Sequence, residues 1–406
     1  MKTSLTRPVA AALTMAVAGL FLLFSYEFSR SASVSLFLDA YGAEQLPVVL
    51  ALGPVGTFVL IYLYGTALSR FGGRRTYALT TLLSGGAFVV GHEWLATGSA
   101  LATGAIYVFR EAYIVLLIEQ LWAFIDSLLK QRQARSLNGL VCGIAGLGGV
   151  VGGMAVRSLA TTVGTGNLLL VAAATLIPAA ACGLIAYQIG GEPQREEGSE
   201  SKSALGIELF RRHSALPRLA IIIVCTQVIA AVLELRFAGL LAAEYPETDL
   251  RTAYLGGFWS GVNIAAMTMQ FVCVPLILRY ASLRAVHLAI PVFHIATAVV
   301  LFVYPSLTTA TIAFFAFKSV DYSIFRAAKE ILYIPLPFDA RYRAKEVIDA
   351  LGYRVAKGSI AGALAVAGGL MGRLPGGLFP VLAMAAGLSW WGSARGLVSP
   401  QELEEG

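Results

Sequence analysis

Five charged side chains stand in one otherwise apolar stretch, KSVDYSIFRAAKEILYIP, residues 318–335. At about 100° per residue, one helical stripe carries Lys318, Tyr322, Arg326, Lys329 and Tyr333. A charge inside a bilayer is costly, so such a stripe indicates paired partners or a water-filled cavity. Lysine and arginine side chains beside a tyrosine ring could hold an anionic group and stack on a ring attached to it.

Charged residues interrupt other apolar segments in the same way. We expect three arginines to face the same anion from other helices: Arg30, Arg110 and Arg236. Glu234 is expected to alternate between pairing a cation and releasing it. The residues predicted to act in coupling or gating are Glu27, Glu111, Glu119, Glu330, Asp349 and Arg354. A purely structural ion pair is the alternative for Glu27 and Arg30, which lie one helical turn apart.

The elements that must position these residues are membrane helices. The 406 residues have a mean hydropathy of +0.73, with 57% hydrophobic and 13% charged residues, which lies outside the range of soluble domains. A bilayer crossing takes roughly 20 apolar residues, and twelve such runs lie between residues 8 and 394. The composition therefore predicts an all-α polytopic membrane protein with twelve transmembrane helices. The basic start and apolar stretch at the N-terminus resemble a signal peptide, but we interpret them as the first span.

The polar stretch GGEPQREEGSESKSALG separates six spans from six more. We expect an N-terminal bundle at 1–189, a cytoplasmic linker at 190–216 and a C-terminal bundle at 217–406. Two six-helix bundles resemble the major facilitator architecture, whose substrate site lies near the midplane. That resemblance implies that spans one, four, seven and ten line the site. The loop GTALSRFGGRRTY is similar to the pattern G-x-x-x-D-R-x-G-R-R, with Ser69 in place of the acid.

Basic residues concentrate in alternate loops, and acidic residues lie in the others. This pattern predicts a cytoplasmic (inner) membrane protein with both termini in the cytoplasm. The net charge of +6 is spread over these loops and forms no patch, so we expect no nucleic acid partner. The expected partners are the lipid bilayer and a small anionic solute, and carriers of this architecture usually act as monomers.

The sequence also argues against several chemistries. The four cysteines are isolated, no G-x-x-x-x-G-K-[ST] loop occurs, and the four histidines are interpreted as mostly flanking helix ends. We therefore expect no metal, no cofactor and no enzyme activity. The run GIAGLGGVVGG lies within an apolar helix, so its glycines are predicted to let helices approach closely rather than to bind a dinucleotide.

These segments resemble the ATP/ADP translocase family of intracellular bacteria and plastids, which is allied to the major facilitator superfamily. KSVDYSIFRAAKEILYIPL, followed by Lys345, Asp349 and Arg354, resembles its signature K-x-x-x-Y-S-x-F-x-x-x-K-E-x-x-Y-I-P-L. AAVLELRFAGLLAAEYP resembles N-L-V-E-V-x-W-K, and LWAFIDSLLKQRQARSLNGLVCGIAGLGG is similar to W-G-F-A-N-Q-I-T-x-x-x-E-A-K-R-F-Y. The resemblance implies that the transport-critical lysine is Lys329, that the functional glutamate of span seven is Glu234 and that a glutamate of span four falls near Arg110 or Glu111.

The chain also departs from the family. SYEFSRSASVSLFL lines up with N-Y-x-x-L-R-D-T-K-D-V-L-V-V; Arg30 matches, but Ser33 stands at a functional lysine and Ser31 at an aspartate. Ala238 stands at the lysine that follows the glutamate of span seven. Losing two cations weakens the case for a triphosphate, whose negative charge a buried site must match.

We therefore expect an alternating-access transporter of an organic anion, such as a nucleotide or another phosphorylated or carboxylated metabolite. Two alternatives remain open. One is a proton-coupled major facilitator carrier of an unrelated solute, such as a metallophore, a peptide or a drug. The other is a lipid-handling or sensory membrane protein without a transport cycle.

Overall fold

The computed structural model describes residues 7–129, 131–192, 215–333 and 352–396, and these ranges contain helices and no β-strand. The helices are α1 Arg7–Tyr41, α2 Leu46–Ala96, α3 Ala100–Leu128, α4 Gln131–Val163, α5 Leu168–Gly190, α6 Ala215–Glu244, α7 Thr248–Thr268, α8 Val274–Tyr280, α9 Leu283–Val303, α10 Leu307–Val320, α11 Arg326–Leu332, α12 Tyr353–Met371 and α13 Leu378–Arg395. A short 3₁₀ helix, Ala43–Gln45, precedes α2. The all-α prediction is confirmed.

Eight helical segments of the described residues are long and apolar enough to cross a bilayer. The longest of them contains α2, whose 51 residues would extend for roughly 77 Å as one helix, against a hydrocarbon core of about 30 Å. Gly72 interrupts α2 with φ 75° and ψ 172°, a conformation open to glycine because it has no Cβ. The carboxylate of Glu192 then accepts a hydrogen bond from the Arg74 amide at 3.2 Å, at the start of the second segment.

Contacts group the chain into two units. The first comprises Met1–Gly42, Leu52–Ser199 and Tyr245–Asn263, and the second comprises Ala43–Ala51, Glu200–Glu244 and Ile264–Gly406. Most of the predicted linker, residues 193–214, lies outside the described residues. The predicted boundaries at 189 and 217 remain a prediction.

Helix α1 forms the centre of the first unit and packs against α3, α4 and α5. Many of its buried residues are small, and two serines hydrogen-bond across helices. Ser25 Oγ donates to the Ala172 carbonyl at 2.8 Å, and the Ser29 and Tyr113 hydroxyls lie 3.0 Å apart. Helices in lipid gain little from apolar burial between them, so small residues and interhelical hydrogen bonds provide the association.

Glycines of α4 bring two other helices close to it. A Cβ at Gly148 or Gly152 would collide with the α1 backbone at Leu20 or Phe24. A Cβ at Gly149 would press on Asn263 of α7, and one at Gly153 on the α7 backbone. The prediction that the glycine-rich run permits close helix packing is confirmed.

Polar contacts fix the start of α7 within the first unit. The Asp249 carboxylate accepts hydrogen bonds from the amide and the hydroxyl of Thr165, at 2.7 and 2.6 Å. Arg251 Nη2 donates to the Ser35 carbonyl at 3.0 Å and lies 3.7 Å from Asp39 Oδ1. These contacts tie the start of α7 to α1 and to the turn after α4.

The second unit is built around α6, which packs against α10, α12 and α13. Helix α9 packs against α10 and α13. His294 lies in the middle of α9, buried beside Phe317 and Trp390. The interpretation that the histidines mostly flank helix ends is therefore wrong for His294, which fills an aromatic core.

Two π-helical turns interrupt the helices of the second unit. Met269–Cys273 joins α7 to α8, and Asp321–Phe325 joins α10 to α11. The turns contact each other, with Ser323 Oγ lying 3.6 Å from Met269 Sδ. A π-turn contains one residue more than an α-turn, so the predicted 100° stripe loses its phase after Tyr322.

Close packing at Gly148 yields a first prediction. Gly148→Ala should lower the thermal unfolding temperature in detergent by several degrees, because overpacking costs about 1–3 kcal/mol and exceeds the helix-propensity gain of about 1 kcal/mol. Gly86→Ala is the matched control, since it lies in α2 with nothing within 4 Å of the added Cβ. Equal unfolding temperatures for the two variants would contradict the packing assignment.

Candidate functional site

Two buried charges of the first unit, Glu27 and Arg30, are 3% and 4% exposed. Arg30 Nη2 donates to both carboxylate oxygens of Glu27, and Asn263 Nδ2 of α7 donates to Glu27 Oε1 at 2.9 Å. The Arg30 guanidinium lies 3.5 Å from the centroid of the Trp259 ring and 4.8 Å from that of Tyr26. The two charges are thus paired, Arg30 also stacks on aromatic rings, and the pair links α1 to α7.

Arg110 forms a second paired centre in the first unit. It is buried on α3, its Nη1 lies 2.5 Å from Glu111 Oε1, and its guanidinium lies 4.2 Å from the centroid of the Tyr107 ring. Glu111 is half-buried. Glu119, two turns further along α3, is exposed.

The cationic stripe of the second unit divides into two parts. Before the π-turn, Lys318 Nζ lies 5.4 to 5.8 Å from the ring centroids of Tyr322, Phe314 and Phe317. Tyr322 and Arg326 are exposed. Lys318 is thus a partly exposed cation with aromatic neighbours.

Lys329 lies in the other part and is 5% exposed. Its Nζ lies 5.0 Å from the centroid of the Tyr353 ring, at the start of α12, and 3.8 Å from Glu330 Oε1. Tyr333 is buried as well. Along this segment, Lys329 and Tyr333 are therefore buried, whereas Tyr322 and Arg326 are accessible.

Glu234 of α6 pairs with a residue that was not among the predicted site residues. Lys357 Nζ of α12 lies 3.1 Å from Glu234 Oε2, and both side chains are half-buried. Arg236 lies elsewhere, with its guanidinium against Gly376 in the turn between α12 and α13. Residues two apart on a helix face different directions, so Glu234 and Arg236 do not form one group.

Several predicted site residues are thus brought together. Glu27 joins Arg30, Arg110 joins Glu111, Lys318 joins Tyr322, and Lys329 joins Glu330. Arg354 is half-buried on α12, and Asp349 lies outside the described residues. The assigned roles of these residues remain predictions.

Sequence reasoning missed Trp259, Asn263 and Tyr353, and it noted Lys357 as a charge in an apolar segment without giving it a role. Asn263 and Trp259 are not unusual in a membrane helix, so no local signal marked them. Tyr353 and Lys357 carry such a signal, because they lie four residues apart and so share a helix face.

Comparison with known proteins shows which transporter family the chain resembles. Residues 193–371 match the model of the TLC ATP/ADP transporter family. The predicted resemblance to the ATP/ADP translocases is confirmed. The ADP,ATP carrier protein 1 of Chlamydia muridarum is 26% identical over 199 residues, which cover 43% of this chain and 37% of that protein. The ADP,ATP carrier protein 1 of Chlamydia pneumoniae is 24% identical over 161 residues, covering 34% and 31%. The aligned part is thus about a third of the length of these translocase relatives.

Solved structures resemble the chain over nearly its whole length. The nucleoside transporter NupG has a TM-score of 0.65 at 12% identity, covering 95% of this chain and 97% of that one. A D-xylose–proton symporter has a TM-score of 0.67 at 13% identity, covering 94% and 97%. Such identities show the fold alone, which is that of major facilitator transporters, as the translocase resemblance implied.

The Glu27–Arg30 centre yields a second prediction. Glu27→Gln should destabilise the protein by about 3–5 kcal/mol, because it leaves a buried guanidinium without its carboxylate. The double variant Glu27→Gln, Arg30→Gln should recover part of that loss. Thermal unfolding of the single and double variants in detergent measures the coupling between the two residues.

Arg373→Gln serves as the control, because Arg373 pairs at 3.7 Å with Glu44 and both side chains are exposed. That substitution should change stability by less than about 1 kcal/mol. A Glu27→Gln variant as stable as Arg373→Gln would show that the pair contributes nothing to the fold.

Proposed function

We propose that this protein is an alternating-access membrane transporter of an organic anion, a nucleotide or another phosphorylated or carboxylated metabolite. The observation that carries the proposal is Lys329, a buried lysine in a segment that resembles the translocase signature. Burying an ammonium group in a membrane helix is costly, so it is retained where it has a function. The match of residues 193–371 to the TLC ATP/ADP transporter family supports the same conclusion.

The proposed architecture has twelve transmembrane helices in two six-helix bundles. Its support is that Gly72 divides one of the eight long segments into two crossings. Three further segments supply the remaining crossings: α10 with α11, α12, and α13. The alternation of basic and acidic loops supports an inner-membrane protein with both termini in the cytoplasm, and the proposed monomer follows from analogy with carriers of this architecture.

In this proposal, Lys318, Arg326 and Lys329 bind the anionic groups of the substrate. Tyr322 lies beside Lys318 on an exposed surface and is suited to stacking on a ring. Arg30, Arg110 and Arg236 are the proposed opposing contacts. The proposed coupling and gating residues are Glu27, Glu111, Glu119, Glu330, Asp349 and Arg354, with Glu234 switching between partners.

The cycle follows from competition for cations. Without substrate, the acids neutralise the lysines and arginines that would otherwise be unpaired in a medium of low dielectric. An anionic substrate replaces an acid, and the released acid is then available to a different partner. Substrate binding and helix rearrangement are thereby linked through the same ion pairs.

Lys329→Gln tests the central residue. Uptake of radiolabelled substrate into proteoliposomes should fall about ten- to a hundredfold, because a charge-assisted hydrogen bond is worth about 1.5–3 kcal/mol. Arg373→Gln should leave uptake unchanged. Wild-type uptake by Lys329→Gln, at unchanged half-saturation, would overturn the assignment.

The nature of the coupling requires a different experiment. If the protein is an exchanger, preloading proteoliposomes with the unlabelled anion should accelerate uptake, and an uncoupler should have little effect. If uptake needs no internal anion and collapses with the uncoupler, the protein is a proton-coupled carrier.

A further inference from the structure

The ion pair between Glu234 and Lys357 differs from the other pairs in its accessibility. The Glu27–Arg30 pair is almost fully enclosed, whereas Glu234 and Lys357 expose 15% and 22% of their side chains. Their separation of 3.1 Å is that of a charge-assisted hydrogen bond. A partly exposed ammonium group can exchange one oxygen acceptor for another.

Lys329 of α11 lies against the same side of α12 from which Lys357 projects. Tyr353 and Lys357 are four residues apart, so their side chains project from one helix face. The Tyr353 ring lies against Lys329, and Lys357 reaches Glu234 on α6. Two lysines from different helices therefore meet this face, each beside an acid: Glu330 for Lys329 and Glu234 for Lys357.

The pairing of Glu234 also accounts for a departure from the translocase pattern. That pattern has a lysine where this chain has Ala238, one turn after Glu234 on α6. Ala238 is buried and carries no charge. Lys357 brings an ammonium group to the same glutamate from α12. The cation that is missing from the sequence of α6 is therefore supplied by another helix.

We propose that Lys357 is a substrate-binding residue and that Glu234 is its counter-ion in the absence of substrate. This inference rests on the proposed function and adds a residue that the family resemblance does not assign. The ligand group is a phosphate or carboxylate, whose oxygens replace those of Glu234 on the lysine. A phosphate carries more charge and more acceptor oxygens than one carboxylate, so it competes well with Glu234 for Lys357. Tyr353 positions Lys329 beside the same group.

A charge swap separates a binding role from a structural one. Four proteins are reconstituted in proteoliposomes: wild type, Lys357→Gln, the double variant Glu234→Lys, Lys357→Glu, and the control Arg373→Gln. Uptake of labelled ATP, inorganic phosphate and citrate is measured as a function of concentration, and thermal unfolding is measured in detergent.

We expect Lys357→Gln to raise the half-saturating concentration of the transported anion at least tenfold, with Arg373→Gln unchanged. The double variant should unfold near the wild-type temperature, since the ion pair is re-formed, yet it should not recover anion affinity, because the ammonium group has moved to α6. The anion whose half-saturating concentration rises in Lys357→Gln shows whether the ligand group is a phosphate or a carboxylate.

Two results would overturn the inference while leaving the proposed function intact. One is wild-type half-saturation for Lys357→Gln. The other is full recovery of uptake by the double variant, which would show a purely structural pair. If the wild-type protein neither transports any of the three anions nor is stabilised by them against unfolding, the proposed function and this inference fail together.

Discussion

A charge inside an apolar medium must be neutralised, and this constraint determines much of what the described helices do. Arg30, Arg110, Lys329 and Lys357 each lie within reach of a carboxylate. Removing one partner of the enclosed Glu27–Arg30 pair would leave a buried charge without its counter-ion. Some pairs lie within one helix, and Glu234 with Lys357 joins two. The charges proposed to bind substrate therefore also hold helices together.

Helices of the first unit associate through small, uncharged residues. Glycine, alanine and serine bring α1, α4 and α7 close enough for backbone contact. The close approach brings Asn263 to the Glu27 carboxylate. The close packing of small residues thus brings the partners of buried ions within hydrogen-bond distance.

Several features that depend on local spacing could be predicted from the sequence. Apolar runs predict the helices, the one-turn spacing of Glu27 and Arg30 leaves a structural pair open as an alternative, and the glycine run of α4 predicts close packing. Partners that come from distant segments were beyond it, because a single sequence does not indicate which helices touch. Asn263 and Lys357 are such partners, at separations of 236 and 123 residues from Glu27 and Glu234. The stripe on α10 and α11 failed for another reason, since the π-turn has no signature in residue type.

The π-turn at Asp321–Phe325 has a further geometric consequence. One residue of a helix corresponds to about 100° of rotation. Straightening this turn into ordinary α-helix would therefore rotate α11 about its axis by that angle, while nearly all its hydrogen bonds would be kept. Such a rotation would bring Ala328 to the direction that Lys329 now occupies, because each residue of α11 would advance by about one position and the helix would lengthen by about 1.5 Å. The ammonium group would then turn away from Tyr353, which leaves no charge facing that ring from α11.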